Sequence, residues 1–224
     1  MIEIIGMTVE DAITIEQCGA NRIELVSALT EGGLTPSFAM IEKVVNSVNI
    51  PVNVMVRPHA NSFVYSESDI DIMRKDIKII RDLGANGVVL GVLDKASNIN
   101  ENHLNILLEE SKGLDITFHK AIDETDLIES VKTLNKIPQI TNILTSGGKG
   151  CIKDNISIIN DICKEASDLK ILLGGGLTLE NIEYLKENTF NCDFHFGTAV
   201  RFNNSHFEKI DKHKLTKLIK IINS

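Results

Sequence analysis

Short apolar runs rich in Ile and Val alternate eight times with longer segments of helical period, and this alternation constrains the fold more than any other feature of the chain. The apolar runs predict strands at 2–5, 22–26, 52–57, 87–90, 116–119, 140–145, 170–173 and 193–196. The periods between them predict helices at 9–18, 36–48, 68–83, 101–111, 126–135, 154–166, 179–188 and 207–222. Thr8 stands three residues before Asp11, much like a capping box, and Thr35-Pro36 offers an N-cap followed by proline at the first helical position. Asn100 and Thr178 are further candidate caps, and Gly84 and Gly113 stand where a left-handed residue ends a helix. Strands joined by helical crossovers run parallel. Eight such units in 224 residues, about 28 residues each, predict a single (β/α)8 TIM-barrel domain over 1–224, of class α/β and with short loops. The rival, an open doubly wound sheet, usually has fewer strands and a glycine-rich turn after the first. Here "IIGMT" carries one glycine.

A barrel turns strand alternation into a statement about its interior. The face packed on helices is apolar. With Ile2, Ile4, Ile23, Leu25, Val52, Val54, Ile116, Phe118, Phe194 and Phe196 facing out, the phase points Glu3, Ile5, Arg22, Glu24, Val26, Asn53, Met55, Arg57, Asp115, Thr117, His119 and His195 inward. Charge inside a barrel costs several kcal/mol unless it is paired. Arg22, Asn53 and Asp115 begin their strands, so they are assigned to a structural network low in the barrel, Arg22 pairing with Glu3 or Asp115. Glu24, Arg57, His119 and His195 sit toward the C-terminal mouth, where barrel active sites lie. In "DITFHKAID", His119 is the inward residue at the top of its strand, and Lys120 opens the loop over the mouth.

Glycine-rich loops follow several strands on that face: "ALTEGGLTPS", "TSGGKG", "GGGLT" and "GTAVR". Glycines let backbone N–H groups approach an anion closely. A single such loop reads as a convenient tight turn. Several on one face, with Arg57, Lys120 and Arg201 available, predict an anion site at Gly174, Gly175 and Gly176 and near Ser146, Gly147 and Arg201. The expected ligand is a small anionic molecule. "GKG" is not a P-loop.

The formal charge of −8 and the lack of a Lys/Arg patch argue against nucleic acid as a partner. The basic "KIDKHKLTKLIK" reads as the solvated face of a helix. No apolar stretch reaches membrane-spanning length and the start lacks signal-peptide features, so a cytoplasmic, non-membrane protein is expected. Cys18, Cys151, Cys163 and Cys192 are scattered without C-x-x-C spacing. We therefore expect free thiols, no structural zinc, no disulfide, and no two cysteines close enough to share one ion.

The stretches "GANRIELVSALTEGGLTPS", "IPVNVMVRPHANSFVYS", "GVVLGVLD", "TFHKAID", "ILTSGG" and "LLGGGLT" resemble the CutC family of copper homeostasis proteins from the first strand to about Arg201. The resemblance implies a (β/α)8 barrel, a cytoplasmic and often dimeric protein, and copper as the associated metal. Glu24 stands in the family's R-I-E-L-C motif and Arg57 in its R-P motif. His119 and Asp123 stand in F-H-R-A-x-D with Lys120 replacing arginine, and Thr145, Ser146 and Gly147 match L-T-S-G. Ile5 and Val26 occupy positions where members carry cysteine, so a Cu(I)-binding pair is not expected there. The loop "RPHANSF" loses an arginine and two glycines relative to the family and gains His59.

Three readings follow: a copper-homeostasis protein, a small-molecule enzyme acting on an anionic or phosphorylated substrate, and a barrel acting through its surface. The enzyme reading uses the polar mouth, with His119 as acid or base, Glu24 as its partner, Asp123 in support and Arg57 as anion clamp.

Overall fold

Eight parallel strands close on themselves in chain order. The computed structural model describes residues 1–224. The strands are β1 (Ile2–Gly6), β2 (Arg22–Leu25), β3 (Val52–Met55), β4 (Gly87–Leu90), β5 (Asp115–Phe118), β6 (Asn142–Thr145), β7 (Lys170–Leu173) and β8 (Asp193–Phe196). The helices between and after them are α1 (Val9–Cys18), α2 (Phe38–Val45), α3 (Glu67–Asp82), α4 (Glu101–Glu110), α5 (Leu127–Asn135), α6 (Ile156–Glu165), α7 (Ile182–Asn188) and α8 (Lys212–Asn223). Closure is direct: Ile2, Glu3 and Ile4 of β1 pair with Phe194, His195 and Phe196 of β8. The expected (β/α)8 barrel is present.

The alternation that set the phase also separates two apolar clusters. Ile2, Ile4, Ile23, Leu25, Val52, Val54, Ile116, Phe118, Phe194 and Phe196 belong to the large cluster that includes the helices' apolar faces. Ile5, Val26, Met55 and Val89 form a small separate cluster inside the barrel. Glu3, Arg22, Glu24, Asn53, Thr117, His119 and His195 are all buried. Asp115 is exposed at the lower rim, where it accepts a hydrogen bond from Asn86 at 3.1 Å, and Arg22 pairs with Glu3 instead.

Side-chain caps fix several helix starts. Thr8 accepts from the Asp11 amide, and Ser66 with Asp69 forms a capping box at α3. Three starts differ from expectation. Ser37, not Thr35, caps α2, because Thr35 bonds Arg57 through both its amide and its hydroxyl. Asn181 stands at the start of α7 and accepts from the Thr178 amide. α8 begins only at Lys212, capped by Asp211. Residues 207–211 are held out of the helix by a bridge between Arg201 and Ile210. No helix is long and apolar enough to cross a membrane.

Candidate functional site

The barrel mouth holds a cavity of about 320 Å³. Its floor is a chain of buried charges. Arg22 Nε donates to Glu3 at 2.5 Å, Glu3 contacts His195 Nδ1 at 2.7 Å, and His195 Nε2 lies 3.6 Å from Glu24. The strand register aligns Glu3 beside both Arg22 and His195, so neighbouring strands create this chain. Burial would raise Glu3, but the His195 hydrogen bond and the Arg22 charge outweigh it and hold the carboxyl below its ordinary value. Burial would lower His195, yet the flanking Glu24 and Glu3 carboxylates raise it. Glu24 has no strong donor, and burial pushes it up to about 7. Its Oε1 is buried without a partner.

His119 sits just past β5 and caps the 3-10 turn Lys120–Glu124, its Nδ1 accepting from the Ala121 amide at 3.2 Å. That bond places the remaining hydrogen on Nε2, which is buried and unpaired. Burial, reinforced by the Arg57 charge, lowers this imidazole to about 3. It is therefore neutral at physiological pH, with a hydrogen on Nε2 available to donate. Gly91 makes its position possible, since a Cβ there would lie 2.4 Å from the ring. The expected pairing of His119 with Glu24 is replaced by His195 with Glu24.

Arg57 lies beyond β3. Its Nη1 donates to the carbonyls of Glu31 and Gly33, its guanidinium lies 4.8 Å from the Phe63 ring centre, and its Nε is buried without a partner. Across the cavity, Gly175 and Gly176 adopt left-handed backbone (φ 89° and 84°). The amides of Gly175, Gly176 and Leu177 engage no protein acceptor. Lys120 Nζ reaches this loop, lying 2.5 Å from where a Gly175 Cβ would stand. It donates to Ser146 Oγ at 3.0 Å and lies 3.3 Å from Asp123. Glu24, Arg57, His119, Lys120, Gly175, Gly176 and His195 all line the one cavity.

Other expected site residues are engaged elsewhere. Asp123 accepts from the Thr145 hydroxyl, the Ser146 amide and hydroxyl, and the Gly148 amide. The 145–148 loop thus already holds an anion, the protein's own carboxylate. Asp123 positions this loop, Ser146 serves the same cluster, and the Gly147 amide donates to Thr145 Oγ1. The Gly174 amide completes the sheet by donating to Thr145 O. Arg201 is almost fully buried and bonds Ile5 O, Asp11 and Glu208 O, so it ties the 201–208 segment to α1 rather than lining the mouth.

The mouth offers a single soft donor, the Met55 thioether. Ile5 and Met55 present aliphatic carbon and one thioether, and no cysteine lines the cavity. Glu3, Glu24 and His195 bring ligand atoms within 4.8 Å of one another, but Arg22 already neutralises Glu3, and this set offers no sulfur for Cu(I). Elsewhere one expectation fails: Cys163 and Cys192 bring their sulfurs to 3.3 Å. They stand 29 residues apart, about one β/α unit, and that match to the repeat was the available signal.

Sequence reasoning missed Phe63, which faces both Arg57 and the His119 ring (4.9 Å between centroids), and Asn204 and His206 on the rim. An isolated phenylalanine in the polar loop after Arg57 was the only hint of the first.

The CutC family model matches residues 1–199. A family protein CutC from Erwinia tasmaniensis is 36% identical over 184 residues, 81% of this chain and 72% of that protein. The human copper homeostasis protein cutC homolog is 33% identical over 213 residues, 92% and 78% of the two chains. The solved structure of CutC from Streptococcus agalactiae superposes with a TM-score of 0.83 at 30% identity, covering 88% of this chain and 98% of that one. Phosphoribosyl anthranilate isomerase from Thermococcus kodakaraensis, at 17% identity and a TM-score of 0.66, shares the fold alone. This chain belongs to the CutC family.

Proposed function

We propose that the barrel mouth binds a small organic anion and that Glu24 moves a proton on it. One observation carries this reading. Glu24 Oε1, Arg57 Nε and His119 Nε2 are buried hydrogen-bonding atoms without partners, and all three residues line the same cavity. Native proteins rarely leave buried polar atoms unmatched, and a ligand in the cavity would supply partners for these three. Arg57, Lys120 and the free amides of the 175–177 turn supply the anion's partners. A carboxyl at about 7 is matched to proton transfer near neutral pH. His195, held by Glu3, relays charge from below. Neutral His119 donates Nε2–H to a carbonyl-type oxygen of the ligand. Together these groups suit proton abstraction beside a polarised carbonyl.

The human relative's name carries copper homeostasis. For this chain we propose that any such role does not run through Cu(I) coordination at the mouth, where Met55 is the one sulfur.

The test is a thermal-shift panel of small phosphates and carboxylates on wild type, Glu24→Gln and His119→Ala. A ligand that binds only the fold raises its stability by RT ln(1 + [L]/Kd). We expect at least one organic anion to stabilise wild type, and that response to vanish in His119→Ala. An equal response in all three proteins places binding elsewhere and overturns the reading.

A further inference from the structure

Outside the cavity, the two thiols at 3.3 Å lie on the lower side of the barrel. Cys163 is in the last turn of α6, and Cys192 immediately precedes β8. Both are half-buried, within reach of a small reagent. Their approach is built into the packing. Asn160, one turn before Cys163, donates to Asn188 O at 2.9 Å and accepts from the Phe190 amide at 3.0 Å. Lys164 stacks 5.8 Å over the Phe190 ring, and Asn191 turns the chain with a left-handed φ of 50°. These contacts fix the 188–192 segment on α6 and present one sulfur to the other.

The two thiols are not equivalent. The hydrogen bond from Cys192 lowers Cys163. The same contact, with burial, raises Cys192. Cys163 is thus the sulfur that becomes a thiolate first.

We propose that Cys163 and Cys192 are a redox-active dithiol that reacts with low-molecular-weight disulfides, Cys163 attacking and Cys192 resolving. The Cys163 thiolate attacks one sulfur of the disulfide RSSR, forms a mixed disulfide and releases RS⁻. That thiolate takes up the Cys192 proton. Cys192 then attacks the Cys163 sulfur, forms the intramolecular bond and releases the second RS⁻, which is protonated from solvent. The protein loses two electrons and RSSR becomes two thiols. The sulfurs need only close from 3.3 Å to about 2.05 Å, a movement shared by two side chains. The product clasps α6 to the start of β8, three residues before His195.

The test uses the reduced full chain, oxidised glutathione as the probe, and alkylation followed by peptide mass. Exposed Cys151 is the internal reference. In wild type, Cys163 and Cys192 should lose alkylation together, as one intramolecular disulfide. Cys192→Ser should accumulate glutathione on Cys163 faster than on Cys151, and Cys163→Ser should leave Cys192 alkylatable. The proposal is overturned if both thiols of wild type stay alkylatable after Cys151 has reacted. It is equally overturned if Cys192→Ser places its adduct no faster on Cys163 than on Cys151. The wild-type arm needs no variant to fold.

Discussion

Two glycine loops on the same face of the barrel, "TSGG" after β6 and "GGGL" after β7, look alike in sequence and differ in one respect. The first is closed around Asp123, whose carboxylate takes two of its amides and two hydroxyls. The second leaves the amides of Gly175, Gly176 and Leu177 without acceptors at the edge of the cavity. A glycine loop is therefore an anion site by composition, and what matters is whether the chain supplies the anion itself. Lys120 joins the two loops, since its ammonium bonds Ser146 of one and abuts Gly175 of the other.

The largest expected effect breaks the closed loop. Asp123→Ala strands its donors and the Lys120 charge, and should cost about 3 kcal/mol or more, read as a lower denaturant midpoint at unchanged slope. A neutral change there would mean the carboxylate is dispensable and the two loops are not different in kind. Gly175→Ala acts on the open loop. It places a Cβ at φ 89° and against the Lys120 ammonium, and should cost about 1–2 kcal/mol while removing the response to anions.

The two mouth histidines sharpen the contrast through pH. His119 is lowered from 6.5 to about 3, so its contribution is present above 6.5 and is lost as pH falls toward 3. Wild type should lose up to about 1.4 kcal/mol per pH unit from this group. His119→Gln should lack that slope, most visibly between 4.5 and 3, where Glu24 no longer titrates. Glu24 is raised from 4.5 to about 7, so its contribution is present below 4.5 and is lost as pH rises through 7. Glu24→Gln carries the opposite sign: the stability of wild type relative to this variant should decline as pH rises from 4.5 to 7. A difference that grows with pH instead would mean that Glu24 is an ordinary paired carboxylate.

Much of this was legible in the chain. Period-two alternation fixed which side of each strand carries charge, because an apolar outer face leaves no second choice for Glu3, Glu24 or His195. What alternation does not carry is the identity of hydrogen-bond partners across loops. Arg201 and Asp123 read as site residues by type, yet Arg201 bonds Asp11 from 190 residues away and Asp123 bonds the neighbouring loop. The start of α8 was misplaced because a nonlocal bridge at Ile210 competes with helix period. The sulfur pair was missed because only tertiary packing reveals that a spacing of one repeat brings side chains together.

The open loop and the unpartnered atoms Glu24 Oε1, Arg57 Nε and His119 Nε2 are proposed to form one anion site linked to a proton. Calorimetric titration of the stabilising anion near pH 7, in two buffers of different ionisation enthalpy, measures both parts at once. Saturable one-to-one binding to wild type with net proton uptake is expected. Glu24→Gln should retain binding but lose the uptake. Binding whose proton uptake is zero in wild type, or unchanged in Glu24→Gln, would contradict this proposal.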